Sequence, residues 1–158
     1  MEIQIRDAQK SDMPRVHGLI KELAVFENEP EAVKVTIADL EKDGFGENPL
    51  FHCFVAEVQS KIVGIALIYP RYSTWSGPVV HLEDLIVTGS MRGKGVGSKL
   101  LEEVVKYGKK QGVRRISWEV LDWNEPAIRF YENNGAKVLR DWDVVQLNEE
   151  GIKTFLNQ

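Results

Sequence analysis

Apolar residues return at three- and four-residue intervals through Val16, Leu19, Ile20, Leu23 and Phe26. That spacing predicts a helix with one buried face, started by Ser11 as N-cap and by Pro14 in its first turn. Before it, Ile3 and Ile5 alternate with polar neighbours, predicting a short strand that ends near Arg6. Thr36-x-x-Asp39 has the form of a capping box and predicts a short helix to Asp43, stopped by Gly44 and Gly46. Two strand-like runs, residues 52–58 and 61–69, are separated only by Gln59-Ser60, the spacing of a tight hairpin. A loop of turn residues and aromatics, 69–78, leads into a run over 79–87 that is too apolar for an edge strand. Leu100, Leu101, Val104, Val105 and Tyr107 then recur at helical spacing before Gly112. A further strand is expected over 114–121, where Ile116, Trp118 and Val120 alternate with polar residues. Asn124 as N-cap, Pro126 in the first turn and Gly135 at the end bound another helix. Val138 and Leu139, a turn over 140–143 and a last strand through Val144, Val145 and Leu147 predict a final hairpin, with 148–156 as a terminal helix or turn. This order of elements is that of an α/β fold with a mixed sheet.

Composition narrows the classes. At 158 residues, 43% hydrophobic and 28% charged, the chain has the size of one globular domain, expected over residues 1–158. A net charge of -4 argues against a general attraction to nucleic acid or to an anionic membrane surface and suits a cationic partner. Residues 1–6 lack the basic and apolar regions of a signal peptide, and no apolar run has the length of a membrane span, so a cytoplasmic location is expected. With Cys53 as the sole cysteine, neither an internal disulfide nor a thiolate metal cluster can form, and no metal is expected. Its place inside a strand makes Cys53 a buried, inert thiol rather than a nucleophile.

One stretch carries distinctive chemistry. Arg92, Gly93, Lys94, Gly95, Val96, Gly97 and Ser98 lie between the 79–87 strand and a helix. Three glycines spaced by single residues let backbone N–H groups turn toward one point. The following helix adds unpaired first-turn N–H groups and the positive end of its dipole, and Arg92 and Lys94 add full charges. The implied ligand is an anion, most simply a pyrophosphate. A plain strand-to-helix connector is the competing reading. The stretch does not match a P-loop, which would need glycine at Thr88, nor a dinucleotide fingerprint, which would need glycine at Ser98. It does match [RQ]-x-x-G-x-[GA] as Arg92-x-x-Gly95-x-Gly97.

Glu83 and Asp84 interrupt the apolar strand. A carboxylate there must be paired, hydrogen-bonded or shifted in pKa, because an isolated charge in a dry core costs several kcal/mol. One reading is a salt bridge to Arg71 or to a lysine on a neighbouring strand; the other is a base. Period-two geometry sends the two carboxylates to opposite faces unless a bulge intervenes. Glu27, Glu29 and Glu31 around Pro30 form either a solvated loop or a carboxylate lip for a cation. Trp75 is either a core cover or a surface for an alkyl-ammonium chain. Tyr131 shares a helix face with Ala127, Ile128 and Asn134, where a packed tyrosine and an acid look alike.

The glycine loop, the strand before it and Asn124-Glu125-Pro126-x-x-x-x-Tyr131-x-x-x-Gly135 resemble the GNAT superfamily of N-acetyltransferases. Segments 19–24, 43–46, 54–58, 82–84 and 123–126 extend the resemblance over nearly the whole chain, closest to the diamine and polyamine group, which includes the spermidine/spermine and thialysine enzymes. The resemblance implies a mostly antiparallel central sheet flanked by helices, acetyl-CoA as co-substrate, a small cationic amine as acceptor, and a homodimer. It gives Glu83 the role of base through water and Tyr131 that of acid toward the CoA thiolate. The backbone of Leu85, Ile86 and Val87 would pair with the pantetheine arm, and residues 92–98 would hold the pyrophosphate. Asn124, Ala127 and Tyr131 would lie against the cofactor. Phe26, Glu27, Trp75, Glu83 and Asp84 would line the amine pocket. Segment 136–144 is shorter than in the animal polyamine enzymes, where it carries an acidic substrate contact; Asp141 and Asp143 stand near that place. Spermidine, a short diamine and thialysine therefore all remain acceptors. A protein lysine or N-terminal acetyltransferase and a non-catalytic acyl-CoA-binding module are the alternatives; the latter needs neither Glu83 nor Tyr131.

Overall fold

The computed structural model describes residues 1–157, of which 1–119 form one compact unit and the remainder a second. In the first unit β1 (Gln4–Asp7), β2 (His52–Val58), β3 (Lys61–Ser73), β4 (Gly77–Val87) and β5 (Ile116–Ser117) form a five-stranded sheet in chain order. Neighbours run antiparallel except β4 and β5, which are parallel. The helices of this unit are α1 (Met13–Phe26), α2 (Ile37–Phe45) and α3 (Val96–Gln111). The mixed, mostly antiparallel sheet expected from the sequence is present.

Alternation along the strands sorts the core onto two faces. Met13, Val16 and Leu19 of α1 and Leu40 of α2 pack with Cys53, Val55, Ile65, Leu67 and Ile86 on one face. Gly64 precedes Ile65 and faces the other way, toward Val96 and Leu100 of α3. The β2–β3 turn places Gln59 at φ 50° and Ser60 at φ 62°, the left-handed pair that a two-residue hairpin needs even though neither residue is glycine.

Several boundaries differ from expectation for local reasons. Ser11 does not cap α1; a 3-10 turn, Lys10–Asp12, runs straight into the helix. The Asp12 carboxylate is held there by Arg6 at 2.7 Å and by the Gln9 N–H at 2.7 Å. The Thr36–Asp39 capping box forms in both directions, 3.1 and 2.9 Å, but α2 continues through Gly44, whose missing Cβ leaves room for the Phe51 ring, and ends at Phe45. β3 does not stop at Tyr69. It continues through Pro70, opposite Val80, to Ser73, and the expected loop becomes a long hairpin with its tip at 74–76. The last β2–β3 pair is His52 with Ile68, so beyond it that edge of β3 needs no donor from Pro70. β5 spans two residues, and Trp118 and Val120 lie outside it. Val105 is half exposed rather than core.

The second unit contains α4 (Glu125–Asn133) and α5 (Glu149–Leu156). Asn124 Oδ1 accepts the Ala127 N–H at 3.4 Å, and Gly135 takes φ 89° just past the end of α4. The terminal helix is likewise capped, Asn148 Oδ1 accepting from the Gly151 N–H at 2.8 Å. The expected last strand is absent: residues 144–147 have no ladder partner, and Val145 is 92% exposed. Adjacent Val144 and Val145 break strict alternation, and strand propensity without a neighbouring strand does not make a strand.

The approach of α3 to the sheet is testable at Gly64, where an added Cβ would lie 2.8 Å from the Ile86 carbonyl oxygen and 3.1 Å from Leu100 Cδ1. Backbone cannot step aside as a flexible side chain can. Gly64→Ala should lower unfolding stability by about 1–3 kcal/mol, the usual cost of overpacking. Urea titration checks this as a lower midpoint at unchanged slope; an unchanged midpoint would contradict the packing described.

Candidate active site

The site begins with an irregularity in β4. Leu67 pairs with Asp84 and Ile68 with Leu82, leaving Glu83 without a partner on β3. One extra residue on one strand is a β-bulge, which bends the strand and re-aims its side chains. Tyr69 pairs with His81, so alternation puts Leu67, Tyr69, His81 and Asp84 on the same face, and the bulge adds Glu83 to it. Strict period two would have separated the two carboxylates; the bulge brings them together.

Burial and mutual repulsion follow. Burial pushes the Asp84 carboxyl up to about 6, helped by the negative charges of Glu83 and then Glu27. Glu27, at the C-terminal cap of α1, is also raised by burial. Carboxylates from the end of one helix and the bulge of one strand thus both act on Asp84. Glu83 is the exposed member. It accepts a hydrogen bond from the Tyr69 hydroxyl at 3.0 Å and lies 3.6 Å from His81 Nε2. Arg71, considered above as a salt-bridge partner, reaches His81 instead, Nη1 to Nδ1 at 3.5 Å. Phe26 lies at the end of α1 with the Arg92 guanidinium over its ring, 4.9 Å from the centroid. Trp75 stands apart from this group: it is 86% exposed at the hairpin tip. The six residue pairs from the bulge to that tip span roughly 20 Å of strand.

The glycine loop continues from β4. A 3-10 turn, Gly89–Met91, precedes it, and α3 begins at Val96 with Gly95 as N-cap. Gly93 at φ 73° and Gly95 at φ 85° occupy the left-handed region that favours glycine, and a Cβ at either would meet nothing within 4 Å. The loop is therefore open to solvent at both glycines. Val96 is buried and anchors it; Gly97 and Ser98 fall in the first turn of α3, whose earliest internal bond runs from the Lys99 N–H to the Gly95 carbonyl at 3.2 Å. N–H groups ahead of that bond are the ones a helix leaves for an anion. Arg92 Nε donates to the Val87 carbonyl at 3.1 Å, so this carbonyl is shared before any pantetheine arm arrives. Lys94 Nζ lies 3.9 Å from Met91 Sδ.

Two further features shape the cradle. Glu22 of α1 accepts from the Gly89 N–H at 2.8 Å and from the Thr88 hydroxyl at 3.0 Å, tying the loop entrance to the helix. β5 pairs with β4 only at Val80 and His81, so past His81 the far edge of β4, with Leu85, Ile86 and Val87, has no ladder partner among the described residues. Strand edge, glycine turn and helix N-terminus fit an extended chain ending in a diphosphate. Neither Glu22 nor the Tyr69–His81 pair was singled out from sequence; Glu22 looks there like a surface carboxylate, and only the register brings Tyr69 and His81 to Glu83. Cys53 is buried and its thiol is pushed up to about 12 by burial, which disfavours the nucleophilic thiolate.

In the second unit Tyr131 is half-buried on α4 with its ring 5.4 Å from that of Phe130. Ala127 belongs to the first turn of the same helix, and the Asn124 side-chain oxygen is engaged in capping it. Among the described residues, no cluster of three or more His, Cys, Asp or Glu could hold a metal ion, and no helix is long and apolar enough to cross a membrane.

Comparison with known proteins matches this geometry. The model of the acetyltransferase (GNAT) family covers residues 12–136. A thialysine N-epsilon-acetyltransferase of Mus musculus is 40% identical over 146 residues, which are 87% of this chain and 86% of the relative. The spermidine/spermine N(1)-acetyltransferase-like protein 1 of Homo sapiens is 38% identical over 94% of this chain, which spans 23% of that protein. Among solved structures, an aminoglycoside N-acetyltransferase in complex with CoA superposes with a TM-score of 0.75 at 22% identity, over 92% of this chain and 95% of that one. The chain belongs to the acetyltransferase (GNAT) family and is an acetyl-CoA-dependent N-acetyltransferase acting on amines.

Proposed function

We propose that the acceptor is a primary amine of a small cationic polyamine, diamine or thialysine-like molecule, acetylated by direct attack in a ternary complex. The observation that carries this reading is Asp84, half-buried beside Glu83 at the bulge of β4 and acted on by the negative charges of both Glu83 and Glu27. Like charges held together this way favour a compact cation carrying more than one positive charge. The names of the mouse and human relatives point to the same class of acceptor.

Acetyl-CoA supplies an activated thioester. Residues 93–98 hold the diphosphate through backbone N–H groups, with Arg92 and Lys94 adding positive charge and Glu22 fixing the approach to the loop. The free edge of β4 pairs with the pantetheine arm and offers an N–H to the oxygen that gains charge during transfer. An alkyl amine has a pKa of about 10.4 and must lose a proton before it can attack. Glu83, exposed on the same face, takes that proton, directly or through a water. Tyr131 returns a proton to the leaving thiolate, and Asn124 and Ala127, at the cap and first turn of the same helix, lie against the cofactor. Phe26, at the end of α1, provides aromatic surface for the alkyl chain, whereas Trp75 at the distant hairpin tip lies outside this pocket.

Thiol release from acetyl-CoA with spermidine, putrescine, thialysine and lysine peptides tests the substrate class. Turnover is expected with the small amines, and turnover confined to peptides would overturn the reading. Tyr131→Phe should lower kcat by about 100-fold, the scale of one general acid, with acetyl-CoA affinity unchanged; wild-type turnover would remove Tyr131 from the reaction.

Asp84 gives a prediction in pH. Its carboxyl is raised from 3.8 to about 6, so between those values the folded protein binds the proton more tightly than the unfolded chain. Stability therefore falls as pH rises through that window and stays lower above it. Asp84→Asn should stabilise the protein at pH 7–8 by on the order of 2–3 kcal/mol and change little below pH 4. The amine KM should rise several-fold in the same variant. Thermal denaturation across pH checks the first part; a variant less stable than the parent at pH 8 would contradict it.

A further inference from the structure

His81 is buried beside the proposed base, yet the reaction as written leaves it without a task. The sheet fixes its surroundings: Tyr69 stands opposite it on β3, Ser117 opposite it on β5, and Glu83 two residues further along β4. Its two ring nitrogens face different chemistry. Nδ1 lies 3.2 Å from Ser117 Oγ and 3.5 Å from Arg71 Nη1, and Nε2 lies 3.6 Å from Glu83 Oε2. A serine hydroxyl can donate or accept, whereas a guanidinium can only donate. Nδ1 must therefore present its lone pair, which leaves the proton of the neutral ring on Nε2, directed at Glu83. Burial also lowers the pKa of the ring, and the pull of Glu83 and Glu119 toward the charged form is opposed by Arg71. The same Glu83 oxygen already accepts from the Tyr69 hydroxyl at 3.0 Å.

We propose that Tyr69 and His81, the latter held in its Nε2–H tautomer by Arg71, are a pair of donors that orient the Glu83 carboxylate for proton abstraction. Both are positioning residues: they act through Glu83 and touch no reacting atom. At 3.6 Å the His81 contact is longer than a formed hydrogen bond, as contacts are that close only with substrate in place. The role rests on Glu83 being the base; the tautomer does not. The other charged groups acting on this corner are Asp84 from β4, Glu27 from the end of α1 and Glu119 beyond β5. Among them Arg71 alone is a cation, and it faces Nδ1.

Nitrogen NMR of protein labelled at its three histidines reads the tautomer directly, with His81→Gln identifying the His81 signals. The expected spectrum at pH 7 is a neutral His81 ring protonated at Nε2, shifting toward a mixture with Nδ1–H in Arg71→Met. Kinetics supply the second readout. Tyr69→Phe and His81→Leu should each lower kcat about tenfold, a difference of roughly 1.4 kcal/mol in barrier, with the acetyl-CoA KM unchanged. His81→Gln, whose amide still donates, should recover most of that loss. An Nδ1–H ring in the parent protein, an Arg71→Met spectrum identical to it, or full turnover in both Tyr69→Phe and His81→Leu would overturn the proposal. Glu83→Gln separates the two claims: full turnover there would remove the base, while the ring spectra would still decide the hydrogen-bond assignment.

Discussion

A single residue inserted in β4 organises this molecule. Without the bulge at Glu83, alternation would place one carboxylate among the helices of one face and the other on the opposite face. With it, Glu83 and Asp84 share a face with Tyr69 and His81. The ladder to β3 resumes at Asp84, while pairing to β5 is confined to Val80 and His81. One local defect thus assembles the charged corner, and the two-residue β5 leaves the other edge of β4 without a ladder partner past His81 among the described residues.

That arrangement opposes stability, and the rest of the unit offsets it. A half-buried carboxylate beside two others gives up solvation, which is why the Asp84 carboxyl rises to about 6. The apolar layers on both faces of the sheet, Met13, Val16 and Leu19 on one and Val96, Leu100 and Val104 on the other, are fully buried and hold the bulged strand in place. Glu22 does similar service for the loop: two donors satisfy its carboxylate, which fixes the loop entrance to α1. Under the acceptor proposed above, a bound cation would relieve the repulsion on Asp84, linking the cost in the free protein to affinity for the substrate.

Much of this was legible in the chain. The apolar periodicity of α1 and α3, the Thr36–Asp39 box, the Gln59-Ser60 hairpin and the Asn124, Pro126 and Gly135 limits of α4 are local signals, and each formed where local rules put it. The glycine loop was readable because positive φ at Gly93 and Gly95 depends on residue type rather than on tertiary context. What sequence could not decide was register. Whether Glu83 and Asp84 share a face depends on how β4 aligns with β3, and nothing within the 79–87 run announces a bulge. Tyr69 marked the end of an expected strand and His81 carried no signal of its own, because their connection to Glu83 runs across the sheet. The strand expected over residues 144–147 failed for the same reason, since apolar content supplies a tendency to pair but no partner.

The central claim is that residues 93–98 grip the diphosphate of coenzyme A and so direct its thioester end along β4 toward Glu83. A crystal structure of the protein with CoA tests it most directly. The account predicts diphosphate oxygens within hydrogen-bond distance of the loop N–H groups, the pantetheine paired along Leu85 to Val87, and the Glu83 carboxylate turned toward the sulfur. A diphosphate bound elsewhere, or Glu83 directed away from the thiol, would contradict it.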